Sequence, residues 1–389
     1  MSKRDVIGVV GVVGLGAMGL GIAQIFAQAG FAVLATDTVP SARDSAVARI
    51  KASLGPRVTA GKLSAQAFDA TMNAVHVVDG LTALAPACMV VEAIHEDMPA
   101  KQALWAKLEG IVAQDCILAS NTSALSITAM AQNLMRPERL LGLHFFNPAP
   151  VMKLVELVGH AGSSAQLLAA ARSLAEASGK TVIACADRPG FVVNRCARPF
   201  YGEALALLEA GRSACDIDAA MLAAGYRLGP FALIDLIGAD INLAATEGLS
   251  RAMNRHPRYH VFEVLRAQVA RGDLGRKSGR GFIYPDAVGP DLVGPDLVRL
   301  APADAGDIAA RIEAVLVNEA VSLVAEGATR AEDVDTAMRL GLNFPRGPFE
   351  TLRLYGAGVV QETLKGLEKA APEHLRGRYT AAGNLKDFA

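Results

Sequence analysis

Residues 140–158, LLGLHFFNPAPVMKLVELV, hold two apolar runs interrupted by groups that can move a proton. His144 closes the first run, ahead of Phe145, Phe146, Asn147 and Pro148, and Glu156 sits inside the second run beyond a Pro-Ala-Pro bend. Both runs have the composition of strands. A carboxylate among Leu154, Val155, Leu157 and Val158 is costly to bury alone, so it requires a partner, and an imidazole across the bend is the nearest candidate. Such a pair would be an oriented general base, with the carboxylate fixing a ring that accepts the proton. Taken alone, the two residues fit equally well a core histidine satisfied beside an edge glutamate.

A second set of residues suits a phosphate-bearing ligand. Gly14, Gly16 and Gly19, with Ala17 and Met18 between them, follow a valine-rich run at 6–13 and precede a helical stretch at 20–29 that Gly30 stops. In that context the spacing predicts a dinucleotide-binding turn. Gly14 permits the tight turn, Gly16 lets a pyrophosphate reach the backbone, and Gly19 lets helix pack on strand. The next strand, 31–35, ends in Thr36 and Asp37. An acid there accepts hydrogen bonds from ribose hydroxyls and repels a 2′-phosphate, which selects NAD over NADP.

The elements that must position these groups alternate between strand and helix. Helical spacing over 41–54, a short strand at 75–78, a strand at 88–94 carrying Glu92 and leading to Glu96, a helix at 99–112 with Lys101 and Trp105, and a strand at 116–120 delivering Asn121, Thr122 and Ser123 predict an α/β Rossmann-type, doubly wound parallel sheet. Ligands in such sheets sit beyond the carboxyl ends of the strands. Ser123 also suits the N-cap of a following helix. The first domain is expected over 1–186. From Asp187 the pattern is helical, with Asn194 and Arg195 opening a long helix, and a Gly-Pro-rich stretch at 286–303 reads as a linker between helical regions at 187–285 and 304–389.

Those two helical regions match each other. Residues 203–211 (EALALLEAG), Asp216 and Asp218, and Gly229-Pro-Phe are answered by 319–327 (EAVSLVAEG), Asp333 and Asp335, and Gly347-Pro-Phe. Ala310 and Arg311 fall where Asn194 and Arg195 stand, so the Asn is lost while the other matched residues recur. This assigns Asn194 to a site more than to the fold.

Composition narrows the partners. A chain of 389 residues carries 38 basic and 39 acidic residues, net −1, which gives no electrostatic reason to expect nucleic acid or an anionic membrane. Small molecules are the better expectation. The five cysteines lack metal or disulfide spacing and suit a reducing, cytoplasmic setting. Pro257 between His256 and His260 argues against a metal pair, so no metal is expected. No apolar run is long enough to span a membrane, and the N-terminal apolar stretch flows into the glycine turn as a strand would.

Taken together, the glycine turn, the Glu92 to Glu96 segment EAIHE, the Ser120 to Ser123 segment SNTS, HFFNP at 144–148 with Glu156, DRPGFVVNR at 187–195 and GRKSGRGF at 275–282 resemble the L-3-hydroxyacyl-CoA dehydrogenases over residues 1 to 285. The remainder is similar to members with a duplicated helical domain. The HFFNP segment is specific, whereas GLGAMG is shared with other β-hydroxyacid dehydrogenases. The resemblance implies NAD as cofactor and an acyl-CoA as substrate, with His144 taking the proton from the 3-hydroxyl and Glu156 orienting it. It implies that Ser123 and Asn194 hold the reacting oxygen and the acyl portion. It places Asp37 on the adenosine ribose, Glu96, Lys101, Asn121 and Asn147 at the nicotinamide end, and Lys277 near the cofactor. A site shared by Ser123 and Asn194 would lie in an interdomain cleft. The family's CoA-contacting Ser and Lys have only loose counterparts around Lys51, Ser53 and Lys62. Relatives with one helical domain pair it between subunits, so the second copy here should make an intrachain pseudo-dimer, with a homo-oligomer through another surface still open. Two other classes stay open: an NAD-dependent dehydrogenase of a non-CoA hydroxyacid, and an NAD-binding protein without catalysis.

Overall fold

The computed structural model describes residues 8–285, 302–383 and 385–389. The linker expected over 286–303 lies outside them, save its last two positions, which open a helix. The chain divides into two compact units, Met1–Arg188 and Pro189–Ala389.

In the first unit the chain runs β1 (Val9–Val13), α1 (Ala17–Gln28), β2 (Ala32–Thr36), α2 (Pro40–Thr59), α3 (Ala65–Ala74), β3 (Val75–Val77), β4 (Met89–Glu92), α4 (Met98–Glu109), β5 (Ile117–Ser120), α5 (Ile127–Ala131), β6 (Leu140–Phe145), β7 (Leu154–Gly159), α6 (Ala165–Ala177) and β8 (Thr181–Ala186). The eight strands form one sheet in the order β3-β2-β1-β4-β5-β6-β7-β8. Order reverses at β1, so β1 and β4 flank a crevice at their carboxyl ends, the position at which such sheets bind ligands. Strands such as β4, β5 and β6 are buried at every residue, as the interior of a sheet covered on both faces requires. Phe26 of α1 meets Phe31, just before β2, and Phe145 of β6 edge-on, with ring centres 5.5 Å and 6.3 Å apart.

The sheet is not wholly parallel. β7 runs antiparallel to β6, and β8 runs parallel to β7. The cause is local: residues 146–153 turn the chain without a crossover helix, and only an antiparallel neighbour can be reached that way. The Asn147–Pro148 peptide in this bend is cis. The helix α3 had no counterpart in the sequence expectations, and the helix after β5 is capped by Ser126, whose hydroxyl accepts from Ala129 N–H, and not by Ser123. Ser126 suits that role because helical geometry begins only at Ile127.

The second unit is helical: α7 (Val193–Glu209), α8 (Ala214–Ala223), α9 (Pro230–Ile237), α10 (Ala239–Ala252), α11 (Glu263–Ala270), α12 (Pro302–Ala325), α13 (Ala331–Leu342), α14 (Pro348–Tyr355) and α15 (Ala357–Ala370). α12 packs on α7, α8 and α14. Asp218 of α8 accepts from Phe231 and Ala232 N–H at the start of α9, and Asp335 of α13 accepts from Phe349 N–H at the start of α14. Each aspartate thus accepts from orphan N–H donors of a helix whose own N-cap is a glycine.

Two glutamates with no exposed surface are satisfied across α7 and α12. Glu203 of α7 receives Arg311 at 2.6 Å, Arg378 at 3.2 Å and the Tyr379 hydroxyl at 3.0 Å. Glu319 of α12 receives Arg195 at 2.6 Å, Arg258 at 3.3 Å and the Tyr259 hydroxyl at 2.6 Å. A buried carboxylate is tolerated only when so surrounded.

Candidate functional site

The glycine turn lies where β1 meets α1. Gly14 has φ 97°, and a Cβ on it would stand 2.5 Å from the Ala93 carbonyl oxygen; one on Gly19 would stand 1.8 Å from the Gly14 oxygen. Both positions therefore exclude any side chain. A Cβ on Gly16 would meet nothing within 4 Å, and Gly16 and Ala17 are exposed at the start of α1, with Met18 partly buried. The first turn of α1 carries no acidic side chain and no side chain caps it, so nothing there repels a pyrophosphate at the helix N-terminus.

Asp37 follows β2 with its carboxylate aligned by backbone donors: Leu15 N–H meets Oδ2 at 2.7 Å and Val39 N–H meets Oδ1 at 2.9 Å. Two arginines of α2 hold the same turn, Arg43 through the Asp37 carbonyl at 2.6 Å and Arg49 through the Leu15 carbonyl at 2.9 Å. Neither was singled out in the sequence, since a surface helix gives no sign of what its basic side chains reach. Gly14, Gly16, Asp37, Arg43, Ile94 and Leu104 line a cleft of about 790 Å³. Glycines that clear the helix N-terminus and a fixed acid at the cleft fit the phosphates and ribose of NAD.

At the ends of β4 and β5 the expected Glu96, Lys101 and Ser123 are brought together. The Lys101 ammonium, nearly fully buried, stands 2.5 Å from Glu92 and 3.2 Å from Glu96. Glu92 also accepts from the Ser120 hydroxyl at 2.6 Å and from Ile94 N–H at 2.8 Å, and Glu96 accepts from the Thr122 hydroxyl at 2.5 Å and Ser123 N–H at 3.0 Å. Glu92 is the anchor here, and the sequence sign of it was a carboxylate at the end of an apolar run. The network fixes the loop that presents Ser123.

His144 and Glu156 are directly opposed in the antiparallel pairing of β6 with β7. Residues on the same side of such a pair approach closely, and His144 Nδ1 stands 2.6 Å from Glu156 Oε2. Glu156 is fully buried and His144 nearly so. Phe146 lies against the imidazole with ring centres 4.5 Å apart. Asn121 links this strand end to β5, its Oδ1 accepting from Phe145 N–H at 2.9 Å, while Asn147 is exposed in the bend. The carboxylate fixes the orientation of the ring through Nδ1.

The remaining expected residues belong to the second unit. Asn194 lies in the first turn of α7, and Lys277 pairs with Asp240 at 2.5 Å. Among the described residues no group of His, Cys, Asp and Glu is arranged to hold a metal, and no helix is long and apolar enough to cross a membrane.

Residues 9–188 match the model of the 3-hydroxyacyl-CoA dehydrogenase NAD-binding domain, and residues 190–284 and 306–388 match that of the 3-hydroxyacyl-CoA dehydrogenase C-terminal domain. The chain is 33% identical to the 3-hydroxyadipyl-CoA dehydrogenase of Escherichia coli K12, over 98% of this chain and 97% of that one. It is 39% identical to a probable 3-hydroxybutyryl-CoA dehydrogenase of Bacillus subtilis over 70% of this chain and 95% of that one. Among solved structures, a 3-hydroxybutyryl-CoA dehydrogenase from Escherichia coli K12 superposes with a TM-score of 0.88 at 32% identity, covering 98% of each chain.

Proposed function

We propose that this chain, which belongs to the 3-hydroxyacyl-CoA dehydrogenase family, oxidises (3S)-3-hydroxyacyl-CoA to 3-oxoacyl-CoA with His144 as general base and Glu156 as the carboxylate that orients it. The observation that carries this is the 2.6 Å contact between His144 Nδ1 and a fully buried Glu156. NAD supplies the hydride acceptor for C3. With Nδ1 engaged by Glu156, His144 takes the proton of the 3-hydroxyl on Nε2, and the adjacent carboxylate stabilises the imidazolium so formed. Ser123 and Asn194 hold the reacting oxygen and the acyl portion. Gly14, Gly16, Ala17, Met18 and Gly19 receive the pyrophosphate and Asp37 the ribose, while Glu96, Lys101, Asn121 and Asn147 stand at the nicotinamide end, with Lys277 a further residue near the cofactor. Five free cysteines suit a cytoplasmic enzyme.

Named relatives act on both 3-hydroxyadipyl-CoA and 3-hydroxybutyryl-CoA, which leaves the acyl group of this chain open. The test is NADH oxidation with a panel of 3-oxoacyl-CoA thioesters of graded length, set beside free oxoacids. Turnover of thioesters is expected; turnover of the free acids alone would replace this reading with that of a non-CoA hydroxyacid dehydrogenase.

The helices α7–α10 and α12–α15 are read as two copies of one unit, packed as an intrachain pseudo-dimer. Support comes from reciprocity. Arg195 of the first copy serves Glu319 of the second, and Arg311 of the second serves Glu203 of the first. Arg258 and Tyr259 repeat on Glu319 what Arg378 and Tyr379 do on Glu203. A two-fold contact has this property: residue i meets j, and j meets i.

A further inference from the structure

Among the described residues four arginines are buried: Arg139, Arg195, Arg198 and Arg378. Three meet a carboxylate, Arg139 with Glu109 at 3.7 Å, Arg195 with Glu319 at 2.6 Å and Arg378 with Glu203 at 3.2 Å. Arg198 meets only neutral groups. Its Nε donates to the Asn194 carbonyl at 3.2 Å, its Nη1 donates to the Asn242 carbonyl at 3.3 Å and the Thr246 hydroxyl at 3.1 Å, and the guanidinium lies 4.8 Å from the ring centre of Tyr201. No described residue accepts from Nη2. Burial pulls the Arg198 pKa below the ordinary arginine value, yet a guanidinium keeps its proton, so a buried charge stands without a counter-ion.

A second unpaired group lies beside it. Asn242 of α10 is 2% exposed, and neither its side-chain nitrogen nor its side-chain oxygen has a hydrogen-bond partner. Buried amides are rarely left so, and an orphaned one signals a ligand or water. A carboxylate would answer both, one oxygen for Nη2 and the other for the amide N–H, in the planar geometry that favours arginine over lysine. Arg198 stands one turn past Asn194 on α7, on the same face and about 6 Å along the axis.

We propose that Arg198, with Asn242, receives a carboxylate at the far end of the acyl chain, so that the preferred substrates are 3-hydroxyacyl-CoA thioesters whose acyl group ends in a carboxylate. This rests on the reading of the chain as a 3-hydroxyacyl-CoA dehydrogenase with Asn194 at the acyl portion. A phosphate of CoA is the other anion such a substrate offers. The closeness of Arg198 to Asn194 favours the acyl end, since one helical turn is the reach of a short acyl chain beyond C3.

The experiment measures kcat/KM with NADH for two 3-oxoacyl-CoA thioesters of equal length, one ending in a carboxylate and one in a methyl group. Full-length protein is compared with Arg198→Met and Arg198→Lys. The parent is expected to favour the carboxylate-ended thioester by about tenfold to a hundredfold, the value of a charged hydrogen-bonded contact, chiefly through KM. Arg198→Met should bring that ratio close to one, and Arg198→Lys should lower it severalfold, because a point charge lacks the fork. If Arg198→Met does not fold, Arg198→Lys decides by the same ratio. Equal efficiency of the parent on both thioesters overturns the inference alone. A parental ratio kept in the variants, with equal losses on both substrates, also overturns it and assigns the arginine to CoA or to packing. Absence of turnover of either thioester by the parent overturns the dehydrogenase reading and this inference with it.

Discussion

Asp37 shows how much a single carboxylate is constrained before any ligand arrives, because Leu15 and Val39 N–H groups already fix both of its oxygens. In the role proposed for it, a carboxylate so held offers lone pairs to ribose hydroxyls and stands against a 2′-phosphate. NADH should therefore be strongly preferred over NADPH, and Asp37→Ala should raise kcat/KM for NADPH relative to NADH by about tenfold or more, the value of one charged contact. Equal use of the two cofactors by the parent would refute this. His144 is a different case, since under the proposed mechanism its loss removes the base while the residues lining the cofactor cleft remain. His144→Gln should lower kcat by about a hundredfold to ten-thousandfold while NADH binding, followed by fluorescence, stays near the parental value. Glu156→Gln keeps shape but removes the charge facing the imidazole, so a smaller loss of kcat is expected. Near-normal turnover in His144→Gln would mean that the proton travels elsewhere.

Between one element and the next, buried aspartates do the joining. Asp218 accepts from two N–H groups at the start of α9, which favours its ionised form, but burial outweighs them and pushes its pKa up to about 7. The folded value exceeds the unfolded one, so the folded state holds the proton more tightly. Stability from this group is fully present at low pH and is lost as pH rises from about 4 to about 7. Asn mimics the protonated acid, so Asp218→Asn should gain in stability relative to the parent as pH climbs through that window, then hold constant. Denaturant unfolding of both proteins at several pH values reads this out, and a pH-independent difference would count against it. The same scale explains what the sequence revealed and what it hid. The glycine turn and the pairing of His144 with Glu156 were legible because each breaks an apolar pattern, the glycines in a way that a tight turn accounts for and the carboxylate in a way that demands a partner. The reversal of β7 was not read in advance, since apolar runs give no strand direction and only the absence of a helix in 146–153 bears on it. The capping role passed from Ser123 to Ser126 because both serines precede the same helix by a few residues, and propensity does not distinguish them. Arg198 escaped notice because its significance is a missing partner, which no spacing records.

For the molecule as a whole, the question is what becomes of the second unit when its last stretch is taken away. The Bacillus subtilis relative covers 70% of this chain with 95% of its own length, so chains of that extent exist without the remainder. Deleting 303–389 here would strip Arg311, Arg378 and Tyr379 from Glu203, and would strip Glu319 from Arg195, Arg258 and Tyr259. Breaking one buried ion pair costs about 3–5 kcal/mol, so the truncated chain could not leave these charges dry and unpaired. On the proposed reading of two copies, Glu203 occupies in the first the place that Glu319 holds in the second, so a second truncated chain could return the partners, with Arg195 of each meeting Glu203 of the other. In the full-length chain tethering supplies a local concentration that can reach the millimolar range, so association there should not depend on protein concentration. The truncated protein should instead dimerise, with activity falling on dilution, or aggregate where the exposed face finds no ordered partner. Adding Glu203→Arg to the truncation should abolish the dimer, since it sets two arginines against each other at each contact. Sedimentation at graded concentrations, with activity measured on the same samples, decides the matter: a soluble, fully active monomer at every concentration would show that the last stretch does not brace the first.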